Sequence, residues 1–163
     1  MSSKFQFNTA WIDTTLYITS TGANLLNKPL KLNDKNHQTI TKPLELMFIT
    51  KVVNHLDSFP EILKMLENLC VACGIKEGQS QLFEIGISDD YKLGSDLDTY
   101  TRRVLFFDVS PNELHLNISL TKYIPAVWAN VKFIACDDLQ TLLSDKTARK
   151  TLWENLKIEF NIG

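Results

Sequence analysis

The stretch RRVLFFDVSPNELHLNISL, residues 102–120, decides the predicted fold class. Its apolar run from Val104 to Phe107 is typical of a strand that is buried on both faces. After a turn at Pro111, apolar side chains recur at every second position from Leu114 to Leu120, which predicts a strand with one buried face. Two such strands around one short turn predict an antiparallel hairpin whose first strand is central in a sheet.

Further strands are predicted on both sides of this hairpin. Alternating apolar residues predict short strands in 4–8 and 14–20, and another in QLFEIGIS, residues 81–88. VWANVKFIAC, residues 127–136, is interpreted as one strand. The stretch 24–34 is expected at a sheet edge, because Pro29 cannot donate a hydrogen bond to a neighbouring strand.

Two helices are predicted between these strands. In TKPLELMFITKVVNHL, residues 41–56, Thr41 is a plausible N-cap and apolar residues recur at helical spacing. In SFPEILKMLENLCVAC, residues 58–73, Ser58 and Glu61 predict a capping box and Gly74 ends the helix. Residues 137–145 and 146–160 predict a short helix, with Asp137 as its cap signal, and a longer terminal helix.

The order of these elements lacks the regular β-α-β alternation of a parallel sheet. We therefore predict the α+β class: residues 1–163 form a single domain with a largely antiparallel sheet. A central helix pair and the C-terminal helices pack on that sheet.

Composition limits the cellular compartments in which the protein is expected. The chain has 163 residues, of which 44% are hydrophobic and 22% charged. No apolar run approaches the roughly 20 residues that span a bilayer, and the first residues lack the apolar segment of a secretory signal. Three cysteines do not make a disulfide framework. These features predict a cytoplasmic protein that does not contact a membrane.

Charge is divided unevenly along the chain. Residues 54–98 carry three Lys against nine acids, a net charge of −6, whereas residues 1–53 (six Lys, three acids) and 99–163 (eight basic, seven acidic) carry +3 and +1. A local acidic zone repels nucleic acid and attracts basic partners. We therefore expect no nucleic-acid partner.

The pair Cys70 and Cys73 has the C-x-x-C spacing of redox and zinc sites. Reactive thiolates favour a helix N-terminus, whereas this pair falls at the predicted C-terminus. Zinc needs two further ligands at suitable spacing, and the remaining Cys and His residues are scattered. We interpret both cysteines as core residues, with zinc and redox roles as alternatives, and expect no metal or other cofactor.

The stretch LGSDLDT, residues 93–99, resembles the Gly-Ser and Asp-x-Asp elements of the nucleotidyltransferase superfamily. That resemblance implies a metal-dependent enzyme that uses Asp96, Asp98 and Asp108. The family separates the two elements by a helical turn or more, whereas Ser95 and Asp96 are adjacent here. This departure removes the geometry that the chemistry needs.

An acidic segment with interleaved tyrosines is the better candidate for a site. Carboxylates steer a basic protein partner and aromatic rings supply buried area, whereas the alternative is a solvated acidic loop. The predicted partner-binding residues are Glu84, Asp89, Asp90, Tyr91, Asp96, Asp98 and Tyr100.

In size, predicted class and charge, the chain resembles the small bacterial immunity proteins of contact-dependent growth inhibition. That resemblance implies a non-enzymatic protein, monomer or homodimer, that neutralises a cognate toxin. Its acidic surface would occlude a cationic toxin, such as a nuclease. The alternatives are a type III secretion chaperone, which would bind an unfolded effector, and the nucleotidyltransferase-like enzyme.

Overall fold

The computed structural model describes residues 27–31, 44–86, 92, 93, 97 and 101–162. The strands predicted in 4–8 and 14–20 lie outside the described residues, as does the N-cap predicted at Thr41.

Six strands form one sheet in the order β1-β3-β2-β4-β6-β5. Every neighbouring pair is parallel except β5 with β6. The prediction of a largely antiparallel sheet is therefore wrong, although the mixture of helices and strands is confirmed. The strands are β1 (Asn27–Lys31), β2 (Leu46–Lys51), β3 (Ser80–Ile85), β4 (Arg103–Phe107), β5 (Ala126–Trp128) and β6 (Val131–Cys136).

The predicted hairpin at 102–120 does not form. Its first half is β4, which is central as predicted but pairs in parallel with β2 and β6. Its second half begins as a 3₁₀ helix, Pro111–Leu114, and continues without a strand. Leu114 and Leu116 are buried against one face of the sheet. The alternating apolar residues there belong to an irregular segment that packs on the sheet. An apolar period of two does not distinguish such a segment from a β-strand.

The helix predicted over 41–56 is also wrong, because its core is strand β2. Residues 46–50 are all buried, since β2 lies between β3 and β4 and is covered on both faces. Such a strand carries a continuous apolar run that matches helical spacing by chance. The predicted central helix pair is therefore one helix.

The other helices occur where the sequence predicts them. Helix α1 spans Phe59–Ala72, and Gly74 follows it with φ +68°. The Ser58 side chain makes no capping hydrogen bond, so the predicted capping box is absent. Helices α2 (Leu139–Ser144) and α3 (Lys146–Phe160) follow β6, and α2 is capped by Asp138 rather than Asp137.

Two details at the sheet edges follow from local sequence. Strand β1 contains Pro29 and lies at one edge, as predicted. At the other edge the stretch predicted as one strand is a hairpin, β5 and β6. Ala129 and Asn130 connect these strands with φ of +48° and +64°, as in a type I′ turn.

Apolar clusters cover the two faces of the sheet. One cluster joins the side chains of Phe48, Leu105 and Ile134 to the three helices. The other joins Ile49 and Phe106 on the opposite face to residues of the connections that precede and follow β4. No long helix occurs among the described residues of that second layer.

The interpretation of Cys70 and Cys73 as core residues is confirmed by their burial in the helix-side cluster. Burial raises the pKa of each thiol to about 12.

We expect both thiols to resist alkylation by iodoacetamide at pH 8 in the folded protein and to react in urea. Replacing both by Ser should lower the free energy of unfolding by about 1–3 kcal/mol, measured by urea titration. Rapid alkylation of the folded protein near neutral pH would contradict this assignment.

Candidate functional site at the carboxyl edge of the sheet

The parallel strands β2, β4 and β6 all end at the same edge of the sheet, where charged side chains meet. Lys51 is the last residue of β2, Asp108 directly follows β4, and Asp137 directly follows β6. The chain leaves β2 through α1 to β3 on one side, whereas β4 lies on the other side. The order of strands therefore reverses between β2 and β4, which is where open α/β sheets bind ligands.

Lys51 holds two carboxylates on this edge. Its Nζ lies 3.7 Å from Asp108 Oδ2 and 3.9 Å from Glu113 Oε2. The backbone N–H of Ser110 donates to Glu113 Oε1 at 2.9 Å, which fixes this carboxylate over the 3₁₀ helix. Asp108 has a φ of +51°, so the chain turns sharply at the end of β4.

A second charged group is built on Asp137. Lys122 Nζ and the Tyr123 hydroxyl donate to the two different carboxylate oxygens of Asp137. The hydrogen bond from Lys122 has the largest effect and holds the pKa of the Asp137 carboxyl below its usual range, and the hydrogen bond from Tyr123 lowers this pKa further. The hydrogen bond between Lys122 and Asp137 also raises the pKa of Lys122. Burial and the hydrogen bond to Asp137 raise the pKa of Tyr123. Asp137 is therefore ionised and engaged at neutral pH.

Asp138 has a structural role at the same edge. Its side chain accepts hydrogen bonds from the backbone N–H and the hydroxyl of Thr141, at 2.8 and 2.5 Å, and so caps α2. Partial burial raises its pKa, but these hydrogen bonds outweigh that effect and lower it overall.

These groups line an open cleft of about 330 Å³, with four carboxylates against two lysines. Cys136 also lines it, but burial raises the pKa of this thiol, which makes it a poor nucleophile. Within the described ranges, no group of three or more His, Cys, Asp or Glu side chains is placed to hold a metal ion. The arrangement is suited to electrostatic recognition of a positively charged group. The lining residues are Lys51, Asp108, Val109, Ser110, Glu113, Lys122, Cys136, Asp137 and Asp138.

Glu84, one of the predicted partner-binding residues, is not on the surface. It lies in β3 with 1% of its area exposed. Its carboxylate accepts hydrogen bonds from the backbone N–H groups of Val53 and Asn54 and from the Asn54 side chain, each at 2.9 Å. Glu84 therefore does not lie on the surface that the prediction requires, because strand pairing with β2 brings its carboxylate into the β2–α1 turn.

The remaining predicted partner-binding residues lie outside the described residues. Within the same acidic segment, Leu93 and Leu97 are described, and both are buried. The Leu93 N–H donates to the Leu114 carbonyl at 3.2 Å. The segment is therefore attached at these two positions to the layer that covers the sheet. The residues outside are Asp89, Asp90, Tyr91, Asp96, Asp98 and Tyr100.

Two arginines lie at the opposite, amino edge of the sheet. Arg103 forms an ion pair with Glu45, donates to the Glu159 carbonyl at 3.1 Å, and stacks on the Phe160 ring at 4.1 Å. Arg102 is exposed and its Nε lies 3.8 Å from Glu45 Oε1. Arg103 therefore holds the C-terminal end of α3 against the sheet.

Sequence reasoning missed most of the carboxyl-edge cluster. A usable signal was present, since Lys51, Asp108 and Asp137 each end or follow an apolar run. That signal indicates a shared site only when the strands are known to be parallel, because antiparallel strands place such residues at opposite edges.

Comparison with models of known protein families finds no match for this chain, and no curated protein sequence matches it. Over the described residues, every helix is too short or too polar to cross a bilayer.

The low pKa of Asp137 gives a testable pH dependence. A depressed carboxyl pKa contributes stability above the unfolded value of about 3.9, and this contribution is lost as the pH falls through the folded pKa. We expect Asp137→Asn to lower the free energy of unfolding by a constant amount above about pH 5, and by less below about pH 4. Urea titrations between pH 2 and 8 measure the difference. Equal pH profiles for wild type and variant would contradict this role, and Glu154→Gln on α3 serves as the control.

Proposed function

We propose that the chain is a non-catalytic protein-binding domain that neutralises a basic partner, in the manner of an immunity protein. The observation that carries this proposal is the excess of carboxylates in the open cleft at the carboxyl edge. By this proposal, the chain acts in the cytoplasm on a cognate toxin and blocks it stoichiometrically.

The exposure of Asp108 and Glu113, and the lysine that they share, support the proposal. Their side chains are 67% and 46% exposed, and they share the single ammonium group of Lys51 at 3.7 and 3.9 Å. Exposed ion pairs at such distances contribute little to folding. Both carboxylates can therefore exchange Lys51 for a partner's Arg or Lys, which would add charge-assisted hydrogen bonds.

The buried position of Glu84 limits the proposed surface. The proposed docking surface at the carboxyl edge consists of Asp108 and Glu113. The other proposed partner-binding residues are those that the sequence predicts in the acidic segment, Asp89, Asp90, Tyr91, Asp96, Asp98 and Tyr100. Carboxylates on such a surface would take the place of nucleic-acid phosphates in a toxin active site, and like charges would exclude wrong partners.

The proposal is tested by co-expression with the product of the adjacent gene, scored by rescue of growth and by binding of the purified pair. We expect Asp108→Lys combined with Glu113→Lys to weaken association by roughly tenfold or more, with the larger part of the loss at low salt. Glu154→Lys, at an exposed position of α3, makes the same kind of charge reversal away from the cleft and should bind as wild type.

Two outcomes distinguish an error in the proposed function from an error in the proposed docking surface. If the wild-type chain forms no complex and gives no rescue, the immunity proposal is wrong. If wild type binds and the double variant binds equally well, the docking surface does not include the carboxyl edge.

A second candidate, a secretion-type chaperone, is favoured by strand β5. This strand ends the sheet, and its outer side has no strand neighbour among the described residues. Ile124, Val127 and Trp128 are 59%, 67% and 45% exposed, and residues 124–131 carry no charge. Pro125 directly precedes β5, and the three residues of β5 itself carry no charge. Exposed apolar side chains along an edge strand suit pairing with an extended, unfolded segment of a partner.

For the chaperone candidate, we expect Val127→Lys to abolish binding to a chemically reduced, unfolded model polypeptide, because the new charge lies on the pairing edge. Fluorescence anisotropy measures the affinity. The matched control is Ile158→Lys, which alters an exposed apolar residue of α3. Undetectable binding by the wild-type chain, or equal loss in both variants, would count against a chaperone.

A further inference from the structure

The turn between β2 and α1 surrounds a carboxylate with hydrogen-bond donors. Glu84 Oε1 accepts from the backbone N–H groups of Val53 and Asn54, each at 2.9 Å. Glu84 Oε2 accepts from Asn54 Nδ2, also at 2.9 Å. Consecutive backbone N–H groups that point at one acceptor form the kind of concave site that binds anions in proteins.

Among the described residues, the hydrogen-bond donors to the Glu84 carboxylate are all neutral. The side chain is 1% exposed, and none of the ion pairs found among the described residues includes it. A buried carboxylate without a cation is costly unless hydrogen bonds stabilise its charge. The two backbone N–H groups and the Asn54 amide supply that stabilisation, so the turn is an effective anion receptor.

The position of the turn in the fold indicates what such a receptor could bind. It directly follows β2 at the carboxyl edge, beside the point where the strand order reverses. In open α/β sheets, the first turn between a strand and a helix is a common binding place for phosphate groups. Here the carboxylate reaches the turn from the neighbouring strand β3, where Glu84 is the penultimate residue.

We propose that the β2–α1 turn is an oxyanion-binding site that the chain fills with its own carboxylate. Glu84 takes the place of an external carboxylate or phosphate, so the wild-type site is closed to both. Removing this side chain opens a site for a small oxyanion, with formate as the closest match to the missing group. This inference is independent of the proposed toxin-binding function.

The test is chemical rescue of Glu84→Ala, followed by thermal unfolding at constant ionic strength in chloride. Loss of these three hydrogen bonds should lower the melting temperature by roughly 10 °C. We expect sodium formate to restore a large part of this loss with a saturable dependence, and formamide, which is uncharged, to restore none. Wild type should show no saturable response to formate. Glu113→Ala is the matched control, because it removes an exposed carboxylate that accepts one backbone hydrogen bond.

A second variant keeps the test decisive if Glu84→Ala is unfolded in chloride. Glu84→Ala should then refold in formate and not in formamide, as followed by circular dichroism. Glu84→Gln fills the same space without a charge, and should fold with a lower melting temperature and no response to formate. Failure of formate to stabilise or refold Glu84→Ala would overturn the proposal. An equal response in Glu113→Ala would also overturn it.

Discussion

Burial of β2 and β4 on both faces is the constraint on which the rest of the structure depends. On one face the rings of Phe48 and Phe107 lie 6.0 Å apart, and on the other Phe106 stacks on Phe133 at 6.1 Å. Neither strand has a polar face to leave in water, so the chain must supply a covering layer on each side. The helices provide one layer, and the connections that flank β4 contribute to the other.

Parallel pairing then concentrates the polar chemistry at one edge. Each parallel strand must be followed by a crossover, so every strand of this kind delivers its next residues to the same end of the sheet. Lys51, Asp108 and Asp137 meet there although the first and last are far apart in sequence. The β2–α1 turn opens at that edge too, and Glu84 reaches it from the adjacent strand.

Environment gives the carboxylates of this edge three different roles. Glu84 is buried and is stabilised by N–H donors. Asp137 is fixed by Lys122 and Tyr123, so its charge serves the local packing of β6 with the preceding segment. Asp108 and Glu113 are exposed and share one lysine. The same functional group is thus fixed in the fold or left exposed according to the donors around it.

The sequence by itself determined the elements whose signals are local. Gly74 and the apolar spacing before it located α1, the stretch 146–160 was predicted as the terminal helix α3, and Pro29 placed β1 at an edge. The apolar run at 104–107 identified a central strand. The cysteine pair was correctly assigned to the core, because its place on the apolar stripe of α1 requires no knowledge of other elements.

Only the tertiary structure decided which strands pair and in which direction. An apolar run such as 46–49 fits a helix or a doubly buried strand, and alternation at 114–120 fits a strand or an irregular segment on a sheet. Pairing direction decides which distant residues share an edge, so the carboxyl-edge cleft and the burial of Glu84 could not be derived beforehand. Local patterns record the environment of each residue, whereas a site depends on contacts between residues far apart in the chain.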